Sequence, residues 1–133
     1  MAPTTKRSVK KTSRKKRIVE SGRIFITATF NNTIVTVADN AGATLVVSSC
    51  GMHGFRGTRK STPYAGTVTT QAAIEKAKEV YGIRRLDIFV KGIGPGREAS
   101  LRAIRGSNLD VGKIVDITPI PHNGVRPPKL RRV

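Results

Sequence analysis

The sequence predicts a single α/β domain built on a mixed sheet of about five strands, and two observations carry that expectation. The first is a run of three short apolar segments separated by only a few turn residues, which implies an antiparallel meander. The second is a strand, helix, strand, helix, strand series that begins with the last of those three. Such crossovers are right-handed and set their strands parallel. The length of 133 residues and a hydrophobic content of 38% suit one modest core.

The elements follow in order. "GRIFITATF" (22–30) alternates Ile24, Ile26, Ala28 and Phe30 with Phe25, Thr27 and Thr29, the period of a strand with one buried face. "NNT" turns, "TIVTVAD" (33–39) returns, "NAG" turns again and "ATLVVSS" (43–49) completes the meander. Thr62 followed by Pro63 has the form of a helix cap and first helical residue, and Ala73, Ile74, Ala77, Val80 and Tyr81 recur at helical spacing as a core stripe until Gly82. "LDIFVKG" (86–92) reads as a strand, Arg97 to Arg105 as a short helix, and "IVDIT" (114–118) as the last strand before "PIP".

Charge divides the chain differently. It carries 25 Lys and Arg against 8 Asp and Glu, a net charge of +17, and repulsion of that size is tolerated when a polyanion neutralises it. Residues 1–17 contain Lys6, Arg7, Lys10, Lys11, Arg14, Lys15, Lys16 and Arg17 without one acid, and residues 122–133 add Arg126, Lys129, Arg131 and Arg132. The segment 18–121 between them holds 13 basic and 8 acidic residues. The ends therefore read as nucleic-acid arms and the middle as the folded core. The first arm has nothing to bury and is expected to be disordered without a partner. In the second, Pro127 and Pro128 hold the chain extended, away from the domain, so that its cations reach successive phosphates.

Other classes fall away. No apolar stretch approaches the ~20 residues of a spanning helix, no signal-peptide pattern is present, and the basic N-terminus lacks the apolar face of a presequence. Cys50 stands alone and reads as a small buried thiol in a reducing compartment. His53 and His122 lie far apart without cysteine partners, so no metal site and no cofactor is expected.

Two loops invite closer reading. "CGMHGFRGTRKS" (50–61) breaks every period with three glycines, Arg56, Arg59, Lys60 and Phe55; it is either a mobile surface loop or a place where glycines let the backbone approach phosphates that the cations pair. "VKGIGPGREASLRAI" (90–104) places Gly92, Gly94 and Gly96 before a helix. It matches neither the dinucleotide fingerprint, whose third glycine position is Arg97, nor the P-loop. Gly94, Gly96 and Arg97 are therefore read as gripping a phosphate backbone, with a helix-start packing turn as the alternative. The order of elements resembles ribonuclease-H-like folds, whose two-metal chemistry requires converging carboxylates. Asp39, Asp87, Asp116 and Glu98 are the candidates, and their placement in a turn, a strand entrance and separate elements argues against a nuclease. A histone-like DNA-binding protein is the other alternative, although no helix-turn-helix, zinc pattern or heptad array is present.

"RIFITATFNNTIVTVAD", "GFRGTRKSTPYA", "VKGIGPGRE" and "DITPIPHNGVRPPKLRRV" closely resemble the bacterial type of the universal small-subunit ribosomal protein number eleven, over residues 18–133 almost without a gap. The resemblance implies a structural, non-catalytic α/β protein of the cytoplasmic ribosome. It would sit on the platform of the small subunit, bound to that subunit's RNA beside the messenger-RNA exit path and the Shine-Dalgarno helix, with small-subunit proteins seven and eighteen as neighbours. It also implies RNA contacts from Gly54, Phe55, Arg56, Gly57, Arg59, Lys60 and Ser61, and from His122, Asn123, Gly124, Arg126, Pro127, Pro128 and Lys129. Asn123 precedes a glycine, whose unhindered backbone nitrogen favours succinimide formation and conversion to isoaspartate.

Overall fold

The computed structural model describes residues 17–132, so the expected RNA-binding cations Lys10, Lys11, Arg14, Lys15 and Lys16 lie outside the described residues. The meander is β1 (Ser21–Ala28), β2 (Thr33–Asp39) and β3 (Thr44–Ser49). Two short 3₁₀ turns, Cys50–His53 and Gly57–Ser61, lead into α1 (Pro63–Tyr81), followed by β4 (Arg85–Lys91), α2 (Gly96–Arg105) and β5 (Asp110–Asp116). The strands form one mixed sheet in the order β3-β2-β1-β4-β5, the ribonuclease-H-like arrangement expected. β1 and β2 and then β2 and β3 pair antiparallel, whereas β4 runs parallel to β1 and β5 parallel to β4.

Local chemistry explains the boundaries. The Thr62 hydroxyl accepts the Ala65 N–H at 3.3 Å and Pro63 occupies the first turn of α1, while Gly82 closes the helix in the left-handed conformation. β1 alternates half-buried and buried residues along its whole length. Ile24 and Ile26 of β1, Val35 and Val37 of β2, Leu86, Ile88 and Val90 of β4 join Ala73, Ile74 and Ala77 of α1 and Ile104 of α2 in one core. Both helices therefore cover the same face of the sheet. On the opposite face the rings of Phe25 and Phe89, register partners on adjacent strands, stack with centroids 5.1 Å apart. Arg23 and Lys113 stand over the Phe89 ring at 5.9 and 5.7 Å.

Three expectations are corrected in detail. Phe30 lies beyond β1 and is exposed, because the chain turns at residues 29–32 before the alternation can place it in the core. Val80 lies outside the core stripe and is exposed, since Ala73, Ala77 and Tyr81, each four residues apart, carry the stripe to the end of α1 and turn the neighbouring position outward. β5 starts four residues earlier than its apolar run, with Asp110 pairing opposite Arg85. A parallel neighbour supplies hydrogen bonds to backbone regardless of side chain, so the polar start of the strand still pairs.

Candidate nucleic-acid interface

The topology gathers one set of loops at a single end of the sheet. Register pairs Thr27 with Lys91, Ile34 with Ser49 and Val90 with Asp116. The β1–β2 turn, the loop 50–61, the glycine loop and the chain after β5 therefore all leave from the end where β1, β4 and β5 finish. In α/β sheets this carboxyl end is the usual place for ligands. The N-terminal arm enters at the other end. Arg17, its one described cation, lies 3.3 Å from the Asp39 carboxylate. The cation nearest the fold is therefore held by the domain itself.

The loop 50–61 is a shaped element instead of a mobile loop. Cys50 is buried, its thiol aimed at the Thr33 carbonyl at 3.6 Å and accepting from the Thr69 hydroxyl at 3.4 Å. Ser48 and His53 hydrogen-bond at 2.6 Å, and Gly54 takes φ 84°, a conformation that favours glycine, to end the first 3₁₀ turn. The Ser61 hydroxyl donates to the Thr58 carbonyl, an internal bond of the second turn. Phe55 meets Tyr64 edge to face with centroids 6.0 Å apart. Arg56, Gly57 and Arg59 are exposed and Lys60 half-buried around this pair. Tyr64, at 70% exposed, and Met52, at 63%, complete the patch. Sequence reasoning missed both: Tyr64 falls in the first turn of α1, where an isolated aromatic reads as helix, although a proline-capped turn beside a basic loop was the available signal.

The glycine loop resolves toward packing. Gly94 and Gly96 are buried; a Cβ at Gly94 would stand on the Thr29 carbonyl oxygen, and one at Gly96 on the Thr33 hydroxyl. A Cβ at Gly66 of α1 would come within 3.0 Å of the Gly96 Cα, so the same spot brings the two helices together. The glycines let strand end, strand start and helix meet, the packing role weighed beside a phosphate grip for Gly94 and Gly96. Arg97 turns inward as well, donating to the Gly92 carbonyl at 2.8 Å and to Asp116 at 3.1 Å.

Asp116 and Thr118 form a clamp where the C-terminal segment departs. The Asp116 carboxylate accepts the Thr118 hydroxyl at 2.6 Å, the Thr118 N–H at 2.9 Å and the Arg97 guanidinium, while the Gly92 N–H donates to the Thr118 hydroxyl at 3.1 Å. These donors, the Thr118 hydroxyl foremost, lower the carboxyl from 3.8 to about 2. Beyond the clamp His122, Asn123, Gly124, Arg126, Pro127, Pro128, Lys129, Arg131 and Arg132 are all exposed, and Asn123 takes φ 58°. The segment does not point wholly away from the domain, as its prolines suggested. Arg131 donates to Asn31 of the β1–β2 turn at 2.9 Å, so the chain passes back across the end of the sheet.

The family model described as "Ribosomal protein S11" matches residues 22–132, from the second residue of β1 to the end of the described chain. The chain belongs to the ribosomal protein S11 family. It is 50% identical over 123 residues to the small ribosomal subunit protein uS11 of Coprothermobacter proteolyticus, covering 92% of this chain and 98% of that protein.

As an S11-family member the chain is a structural constituent of the small ribosomal subunit and not an enzyme. The histone-like and nuclease alternatives fall with that finding. The four carboxylates weighed for metal chemistry have local duties or stand apart: Asp39 accepts the Ala43 N–H at 2.8 Å and pairs with Arg17, Asp116 holds the clamp, and Glu98 faces Arg102 at 3.4 Å within α2. Asp87 sits on the open sheet face, on the strand that also bears Phe89. That S11 face holds further cations, Arg23 and Lys113, which the sequence disguised by scattering them singly through strands.

Proposed function

We propose that the chain binds small-subunit ribosomal RNA through the carboxyl end of its sheet, using the loop 50–61 and the segment 122–132 as one surface. The observation that carries this reading is their convergence: Arg56, Arg59 and Lys60 around Tyr64 and Phe55 stand at the same sheet end from which the chain bearing Arg126, Lys129, Arg131 and Arg132 departs. The acids nearest this surface are already engaged, Asp116 by Thr118 and Arg97 and Glu98 by Arg102, and so oppose phosphate little. Cations position the surface on phosphates, while the exposed Tyr64 ring offers a face on which an unpaired base can stack. The N-terminal arm, including Lys10, Lys11, Arg14, Lys15 and Lys16, neutralises further phosphates. The domain between the arms, residues 18–121, orients both. The resemblance supports a place on the platform, beside the messenger-RNA exit path and the Shine-Dalgarno helix, with proteins seven and eighteen adjacent.

Binding of the full chain to a platform RNA fragment over a salt series tests the surface. Arg56→Ala and Arg59→Ala together should flatten the slope of log affinity against log salt by about 0.7 to 0.9 for each phosphate that is no longer neutralised. Tyr64→Ala should lower affinity with the slope unchanged. An unaltered slope and affinity in both variants would remove the loop from the interface.

A further inference from the structure

Between α2 and β5, on the face the helices cover, runs a groove of about 400 Å³. Its floor is Ile88 and Ile104, both buried, and its walls are Leu101 and Arg105 from the helix and Val111 and Ile114 from the strand. Val111 is 42% and Ile114 61% exposed. Two residues three apart on a regular strand point to opposite faces. Here an irregularity in the β4–β5 register between Val111 and Ile114 sends both into the groove and turns Lys113 to the open face above Phe89. Gly112 permits this, for a Cβ there would stand on the Asp87 carboxylate.

β5 is also the last strand of the sheet and pairs on one side only. Its outer row of backbone donors and acceptors borders an apolar groove backed by a helix, the arrangement into which an extended peptide adds as a further strand. We propose that this groove takes an extended segment of another protein of the small subunit, paired along β5 as a sixth strand, with aliphatic side chains at alternate positions in the groove and a carboxylate on Arg105. Charge favours that occupant. Arg102 is turned to Glu98, but Arg105 has no acidic partner among the described residues. A second copy of this chain would bring +17 against +17 and one Arg105 toward another. RNA would find an aliphatic floor without the aromatic ring that Tyr64 presents elsewhere. The segment needs about six residues to run along β5 at ~3.3 Å each.

The test uses assembled small subunits that carry a benzoylphenylalanine photocrosslinker at Val111, with the same group at Val47 of β3, at the opposite edge, as the control. Irradiation should join Val111 to a protein chain, and mass spectrometry should place the joint within a short segment of alternating aliphatic residues with a nearby Asp or Glu. Val47 should not reach that segment. Arg105→Glu should lower the crosslink yield roughly tenfold, the loss of one desolvated charge pair, while Arg105→Lys should retain most of it. Crosslinks to RNA, to a second copy of this chain or to nothing would overturn the proposal, as would a protein crosslink indifferent to Arg105→Glu.

Discussion

Gly96 and Gly54 show how differently two glycines can matter. A methyl group at Gly96 would collide with Thr33 inside a contact that also holds α1 against α2, so Gly96→Ala should destabilise the protein by about 1 to 3 kcal/mol or more. Gly54 has open space around it and a left-handed φ, so Gly54→Ala should cost only about 1 to 2 kcal/mol of backbone strain. Denaturant unfolding of both variants checks the order, and a Gly96→Ala protein as stable as the parent would refute the packing account. Asn123 is a second residue with chemistry of its own. It is exposed and followed by glycine, and isoaspartate is expected at this position. Isoaspartate-specific analysis of the peptide spanning residues 122–125 from mature ribosomes, finding only asparagine, would show that the bound conformation forbids the attack.

At the scale of elements, the clamp on Asp116 decides where the C-terminal segment leaves the fold. Its carboxyl is depressed from 3.8 to about 2, with the Thr118 hydroxyl as first cause. A depressed carboxyl contributes above its unfolded value and loses that contribution as pH falls through its folded value. The anchoring should therefore be complete above about pH 4 and fade between about pH 4 and 2. Asp116→Asn should imitate the acid state at neutral pH, and should speed amide hydrogen exchange at Thr118 while Ile88 and Val90 of β4 stay protected. If Thr118 exchanges at the parental rate, the clamp does not hold the segment. The loop 50–61 is the other element whose shape was hidden. Glycine and polar residues suggested mobility, but the buried Cys50 and the Ser48–His53 bond pin its first turn, contacts between residues that sequence periodicity does not report.

In the whole molecule the described chain enters the sheet at one end, through residues 17–20, and its C-terminal segment leaves from the other. Removal of residues 126–133 should leave the core intact, because these residues are exposed where described and Arg131 makes a surface hydrogen bond. Circular dichroism should show an unchanged fold. The same truncation removes four cations and should flatten the salt slope of RNA binding by at most roughly three to four units. Replacing Pro127 and Pro128 with glycine should weaken binding through added flexibility and leave the slope nearly intact. A truncation that melts the domain, or that binds RNA with parental slope and affinity, contradicts the division into core and arm.

By itself the sequence determined what depends on near neighbours and on composition. Alternation marked β1 to β3, the Thr62-Pro63 pair and Gly82 bounded α1, the order of elements implied the parallel half of the sheet, and the charge runs marked the arms. Each follows from spacing along the chain or from residue type, which a linear text preserves. Tertiary structure alone decided which features share a place. Gly94 and Gly96 are explained by Thr29 and Thr33, more than sixty residues earlier in the chain; Arg97 is claimed by Asp116; and Arg131 reaches Asn31. The irregular register of β5 turned Val111 and Ile114 to one side, against the strict alternation that a strand pattern assumes. The reason is physical: a helix or strand is specified by residues two to four apart, whereas a close backbone approach, a clamp or a groove depends on which distant segments the sheet order brings into contact.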